Sequence, residues 1–268
     1  LPDAPREGIV LNVPEMRLFY FPPARRGEAR RMITHPISIG RMDWNTPLGT
    51  TRIIAKQTDP VWRPPASIRQ EASEDGRELP EVVPAGPENP LGRYAMRLGV
   101  PGYLIHSTNK PAGVGMRVTH GCIRMFPEDI EYLFGEIDLQ TPVRIINEPY
   151  VAGWRDGQLY LEAHQPLAED AERWNGSLEP MERTVAAKTN GQSIGVSWEK
   201  ARAVAREARG LPLPIAPGSP ELAELLAKAP QVPSVPPWAV PVEEGAEAVQ
   251  DAAPADELAD NQSSLPPS

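Results

Sequence analysis

Proline is the feature that most limits what this chain can fold into. Thirty-three of its 268 residues are proline, about two and a half times ordinary usage. Proline has no amide hydrogen for a helix interior or a central strand, and its ring locks φ. Helices and strands between the prolines must therefore be short, and many loops must join them. Apolar residues still make up 40% of the chain, and this length accommodates one or two domains with a good-sized core. No apolar run approaches the roughly eighteen residues of a membrane-crossing helix, so a membrane-spanning chain is not expected.

The formal net charge of −9 is unevenly placed. From Leu211 onward there are nine acidic residues and one basic residue, Lys228, whereas residues 1–210 hold 27 acidic against 26 basic. The near-neutral body offers no basic field for a nucleic-acid partner. Its single cysteine, Cys122, rules out an internal disulfide, and a lone cysteine has an ordinary role as a small buried hydrophobe. The chain begins at Leu1 without an initiator Met; any signal peptide is expected to have been removed already, and the compartment is not legible from this end.

Periodicity places a strand-rich, mainly β domain over residues 1–148. Strands are expected at 8–12, 16–21, 52–55, 94–98, 103–106 and 143–146, separated by glycine and proline turns, a pattern of sandwiches and barrels. One helix is well marked. Pro127 opens it, Glu128 and Asp129 occupy the first turn, Ile130, Leu133 and Phe134 share a face, and Gly135 is its expected stop. The proline-rich stretch 58–90 reads as an ordered lid or wall. Residues 149–210 read as an extension with one strand at 159–162 and one helix from Trp198 to Arg209. Ser197 caps that helix and Gly210 stops it. Residues 211–268, rich in Pro, Ala and Glu, read as a disordered tail with one short helix at 221–228.

The chemistry concentrates in one segment. His106-Ser107-Thr108 is followed, after a glycine-containing loop, by Thr119-His120-Gly121-Cys122-Ile123-Arg124. If strands at 103–106 and 122–125 pair across that loop, His106 and Cys122 can share a side. Along the second strand His120, Cys122 and Arg124 would then alternate to one face, with Ile123 and Met125 turned to the core. A free thiol has a pKa near 8.5 and is mostly protonated at neutral pH. A neighbouring imidazole can take its proton, and such pairing lowers a cysteine pKa by about one to five units, or about 1.4 to 7 kcal/mol. The expected resting state is thus a thiolate–imidazolium pair, with Cys122 as nucleophile and His106 as base. Backbone N–H groups around Gly121 and Cys122 are candidate oxyanion donors, Ser107 is a candidate to orient His106, His120 is the third candidate catalytic residue, and Thr119 and Arg124 support the site. His35 and His164, outside the cluster, read as structural. Two other readings stay open: a zinc peptidase site built from His106, His120 and Cys122, and a wall-binding protein that does no catalysis.

The run from His106 to Met125 resembles the signature of the L,D-transpeptidases with a YkuD-type catalytic domain: a histidine, a variable spacer, then Ser/Thr-His-Gly-Cys. Residues 1–8, 59–69, 84–92, 127–130 and 161–167 look like the periplasmic, ErfK/YbiS/YcfS/YnhG-like branch of that family. The resemblance implies a β-sandwich with the cysteine in a groove under a lid. It implies attack by Cys122 on the diaminopimelate–D-alanine bond of a peptidoglycan tetrapeptide stem, with release of D-alanine. The acyl group would pass to the diaminopimelate amine of another stem, to the C-terminal lysine of an envelope lipoprotein, or to a free D-amino acid. No metal or organic cofactor is implied. Acylation by carbapenems and a periplasmic location are. A free thiol there is open to oxidation, which implies a periplasmic thiol reductase as partner. Ser107 and Thr119 stand where many relatives of this branch have Gly and Ser. An N-terminal wall-binding LysM module, frequent in the branch, is not seen in this chain.

Overall fold

The computed structural model describes residues 1–24, 27–41, 46–190 and 195–231. Its first strands, β1 (Gly8–Asn12) and β2 (Arg17–Phe21), form a hairpin around Pro14. Both read as nearly unbroken apolar runs because both of their faces are covered. Ile9, Leu11 and Leu18 enter the main core, while Val10, Phe19 and Phe21 form a small cluster on the opposite side. Next come β3 (Ile33–Pro36), β4 (Ile39–Gly40) and β5 (Gly49–Thr58). After α1 (Ala66–Glu74) the chain forms β6 (Tyr94–Leu98), β7 (Leu104–His106), β8 (Arg117–Thr119) and β9 (Ile123–Arg124). The helix α2 (Pro127–Glu136) and β10 (Pro142–Ile146) complete this part.

Eight of these strands make one mixed sheet in the order β3-β2-β1-β10-β5-β6-β7-β9, and β4 pairs with β8 in a separate parallel ladder. Within the large sheet only β1–β10 and β7–β9 run parallel. The mainly β reading of this region holds. α2 lays Ile130 and Leu133, both fully buried, into the same core as Ile105, Ile123 and Met125. Burial of each such side chain is worth about 1.5–3 kcal/mol. Pro127 opens α2 and its two acids sit at the positive end of the dipole, as expected. Gly135 does not end it. The helix continues to Glu136 and stops where Ile137 turns extended, and a Cβ on Gly135 would meet nothing within 4 Å.

Segment 58–90 is an ordered wall that contains α1. It is closed by a bridge between Trp62 and Val83, and the buried Asn89 ties it down. Asn89 Nδ2 donates to the carbonyls of Pro60 (2.7 Å) and Pro84 (3.0 Å), and its Oδ1 accepts from the Leu91 N–H at 2.9 Å.

Beyond Ile146 the sequence reading was too sparse. The structure has β11 (Tyr150–Arg155), β12 (Gln158–Ala163), α3 (Ala168–Trp174), α4 (Glu179–Lys188), α5 (Trp198–Glu207), β13 (Leu213–Pro214) and α6 (Leu222–Lys228). A second core forms here, in which Leu159 and Leu161 meet Met181, Val185, Ala201 and Ile215. The boundary expected at Gly210 therefore falls too early, because β13 pairs with β12 and buries Leu213 and Ile215. Two alternating apolar residues are too short a signal for periodicity to register. α5 has the expected cap, with Ser197 Oγ accepting from the Lys200 N–H. Its stop is Ala208 in the left-handed region (φ 45°), not Gly210. The expected short helix near 221–228 is present as α6. Residues 232–268 of the expected tail lie outside the described residues.

Candidate active site

β7 and β9 lie side by side in parallel, with Ile105 opposite Ile123 and His106 opposite Arg124. Both isoleucines are fully buried in the core, as is Met125. Strand alternation then turns His106 and Arg124 to the other face, across a parallel pair and not strands folded back across the loop. Cys122 lies in the bend immediately before β9, outside the strand to which that alternation applies.

His106 is buried, and its Nδ1 lies 2.6 Å from the Ser107 carbonyl oxygen. A carbonyl only accepts, so Nδ1 carries the hydrogen and Nε2 keeps its lone pair. The backbone, not the Ser107 hydroxyl, orients this ring, which corrects the role expected of Ser107. Burial, with the Arg124 charge behind it, pushes the imidazole pKa down to about 4, against the pull of backbone hydrogen bonds from Ser107 and Leu91. Burial likewise pushes the Cys122 thiol up. The Leu104 backbone hydrogen bond and the Arg124 charge pull it the other way without reversing the shift. The half-buried thiol donates to the Gly102 carbonyl at 3.6 Å.

The expected resting ion pair is therefore not the state this environment favours. Desolvation penalises both charged partners, so the resting site holds a neutral thiol and a neutral imidazole. The sulfur's hydrogen bond goes to the Gly102 carbonyl, in the loop before β7.

The residues between β8 and β9 form a tight bend. Gly121 sits at φ 95°, a conformation that side chains rarely adopt. Thr119 Oγ1 donates to the Cys122 carbonyl at 2.6 Å, and Thr46 Oγ1 donates to the Gly121 carbonyl at 3.0 Å. In a trans peptide the N–H points opposite the C=O, so the Cys122 N–H is turned away from Thr46. Thr119 acts by holding this bend, a task that any hydroxyl residue there could perform.

His120 leaves the strand alternation, because the bend breaks it. Its Nε2 lies 3.0 Å from Oε2 of Glu71 on α1, and the other carboxylate oxygen of Glu71 pairs with Arg41. Arg41 first, and then His120, hold the Glu71 carboxyl below the usual range. Glu71, Thr46, Gly102, Leu104 and Leu91 were all missed in the sequence. Four of them act through backbone groups or a lone hydroxyl, which leave no spacing signal. Glu71 sits in a helix with no motif around it.

Arg124 is anchored through its backbone, which exchanges hydrogen bonds with Ser38 at 2.8 and 3.0 Å. Its guanidinium makes no ion pair among the described residues, and its buried Nε has no hydrogen-bond partner. The zinc arrangement of His106, His120 and Cys122 does not form, since their ligand atoms do not converge. Among the described residues the one group of metal-ligating side chains that does converge is Glu15, Glu162 and His164, which contains neither Cys122 nor His106.

Comparison with known proteins follows the same residues. The family model YkuD, L,D-transpeptidase catalytic domain, matches residues 6–145. The chain is 46% identical over 174 residues to "Probable L,D-transpeptidase YcfS" of Escherichia coli (strain K12), covering 63% of this chain and 53% of that one. It is 38% identical over 227 residues to "Probable L,D-transpeptidase ErfK/SrfK" of the same organism, covering 83% of this chain and 71% of the relative. The chain thus spans about half the length of the first and under three quarters of the second. Among solved structures, L,D-transpeptidase 3 from Mycobacterium tuberculosis aligns at 20% identity and a TM-score of 0.37, covering 54% of this chain and 62% of that one.

Proposed function

Because the chain belongs to the YkuD family of L,D-transpeptidases, we propose that Cys122 and His106 carry out acyl transfer between peptidoglycan stem peptides and an amine. Cys122 Sγ attacks the carbonyl of the diaminopimelate–D-alanine bond, and His106 Nε2 takes the thiol proton. The C–N bond breaks as the imidazolium returns that proton to the departing D-alanine amine, leaving a thioester on Cys122. An acceptor amine then attacks the thioester and gives its proton to His106. The new amide forms and the thiol is restored. The Cys122 N–H, with that of Gly121, faces the developing oxyanion.

One observation carries this reading: the hydrogen bond from His106 Nδ1 to the Ser107 carbonyl. It leaves Nε2 as the lone-pair nitrogen, available to take the thiol proton. A pKa of about 4 keeps that nitrogen unprotonated at any pH where a cell wall is built. Since the neutral pair is the resting state, proton transfer accompanies attack on bound substrate and does not precede it. The acceptor is the diaminopimelate amine of a second stem or the C-terminal lysine of an envelope lipoprotein. The reaction uses no metal or organic cofactor and takes place in the periplasm. Carbapenems acylate Cys122, and a thiol reductase keeps it reduced.

The test is incubation of the purified protein with sacculi, with and without an envelope lipoprotein, followed by mass spectrometry of the products. D-Alanine release with a new stem–stem or stem–lysine amide is expected, and Cys122→Ala should abolish both while thermal unfolding is unchanged. Undiminished transfer by Cys122→Ala would refute the proposal.

A further inference from the structure

Apart from the nucleophile, three side chains of metal-ligating type meet where the two cores join. Glu15 belongs to the turn between β1 and β2, Glu162 to β12, and His164 follows directly after β12. Ala163, between the last two, is part of the second core, while Leu167 is already part of the first. One carboxylate oxygen of each glutamate and one ring nitrogen of His164 all lie within 4.8 Å of one another. His164 Nε2 stands 2.9 Å from Glu162 Oε1.

The fold holds these groups in place from both sides. The Glu15 side chain is only 7% exposed. Its Oε2 accepts from Asn12 Nδ2 at 3.0 Å, and the fully buried Asn12 is locked in both directions to the Glu148 backbone, at 2.9 and 3.0 Å. Its Oε1 makes no hydrogen bond among the described residues, and Arg17 Nε lies 3.7 Å from it, beyond hydrogen-bond reach. On the other side Gly210 presses on the imidazole. Its N–H donates to the Ala163 carbonyl at 2.7 Å, and a Cβ there would stand 3.0 Å from His164 Cε1. A cavity of about 210 Å³, lined by Val13, Pro14, His164, Arg209 and Gly210 among others, opens beside the ring.

We propose that Glu15, Glu162 and His164 form a site for a divalent transition-metal ion, zinc by its ligand types, that clamps the segment after β12 to the β1–β2 hairpin. Two carboxylates converging on one point carry two negative charges, which a divalent ion neutralises, and a buried carboxylate needs such compensation. An imidazole among the ligands selects zinc over magnesium and calcium, which take oxygen ligands. Ligand atoms around a tetrahedral zinc stand about 3.3 Å apart. The 2.9 Å pair and the 4.8 Å limit bracket that separation, so small side-chain movements complete the set. Asn12 orients Glu15 as an outer-shell partner orients a metal ligand. The cavity beside His164 has room for a water as the fourth ligand. Neither Cys122 nor His106 is among the ligands, so the clamp and the acyl-transfer reading stand or fall separately.

The experiment strips the untagged full chain with a chelator, removes the chelator, and titrates zinc chloride in competition with a chromophoric zinc chelator. Elemental analysis then counts the bound metal. One zinc per chain is expected. Tm should rise by about 5–10 °C at zinc about one hundred times its Kd, with no comparable rise in magnesium. Zinc affinity should fall about 100-fold or more in His164→Ala and about tenfold or more in Glu162→Gln, and stay unchanged in Cys122→Ala. Absence of zinc uptake would overturn the proposal, as would zinc held equally tightly by His164→Ala. Zinc lost in Cys122→Ala but kept in His164→Ala would put the ion at the nucleophile and overturn it too. Equal stabilisation by magnesium would show screening of acidic surface in place of a zinc site. Should His164→Ala fail to fold, the zinc affinity of Glu162→Gln decides by the same criterion.

Discussion

Lowering the pH from 8 to 5 should cost the folded protein about 2 kcal/mol through His106 alone. In the folded chain this imidazole has a pKa of about 4, against an ordinary value of 6.5. Because the folded pKa is depressed, the unfolded chain binds the extra proton throughout that interval. The contribution of His106 is therefore fully present above pH 6.5, declines as the pH falls, and is lost below about 4. A difference of 2.5 units corresponds to about 3.4 kcal/mol at the acid limit, and about 2 kcal/mol of it is gone by pH 5. Urea unfolding at pH 8 and pH 5, for the wild type and for His106→Gln, isolates this from every other titrating group. The wild type should lose about 2 kcal/mol more than the variant between the two conditions. Equal losses would refute the reasoning, as would an NMR titration of His106 with a midpoint near 6.5. The same shift sets activity: the acid limb of the rate profile should fall well below that of an ordinary histidine.

Three further outcomes follow from named contacts. Asn89→Ala removes the side chain that joins Pro60, Pro84 and Leu91; it should cost about 2–3 kcal/mol and speed proteolysis within 58–90, and a change under about 0.5 kcal/mol would refute the anchoring role. Glu71→Gln should loosen α1 from His120 and Arg41, seen as faster amide exchange across α1, while Tm moves by less than about 2 °C, since partly exposed pairs contribute little. Gly92→Ala places a Cβ 2.6 Å from Ser107 Cβ at φ 61° and should cost more than about 2 kcal/mol, whereas Gly76→Ala, at φ 74° with nothing within 4 Å, should cost only about 1; equal costs would show that backbone strain and not the Ser107 contact decides.

Local pattern was enough to find β1, β2, β6, β7, β10, α2 and α5, because each carries a period, a cap or a breaker within its own residues. Such pattern failed for β13 and α4, whose buried residues number two each. Motif singled out Cys122, His106 and Arg124 as candidates, and alternation placed His106 and Arg124 on one face, because a strand's side-chain direction depends only on parity. They misplaced His120, because Gly121 bends the chain before the alternation reaches it.

What the amino-acid order could establish was thus which groups are the candidates for the chemistry and that they fall within one segment. Their protonation is another matter. Burial in the folded chain pushes the thiol up and the imidazole down, with the Arg124 charge adding to the second shift and the Ser107 and Leu91 backbone hydrogen bonds opposing it. A pKa is a free-energy difference between two charge states in one environment, and that environment exists only once the sheet has brought β7, β9 and the loop before β7 side by side. For the same reason no spacing rule could reveal that Arg124 makes no ion pair among the described residues.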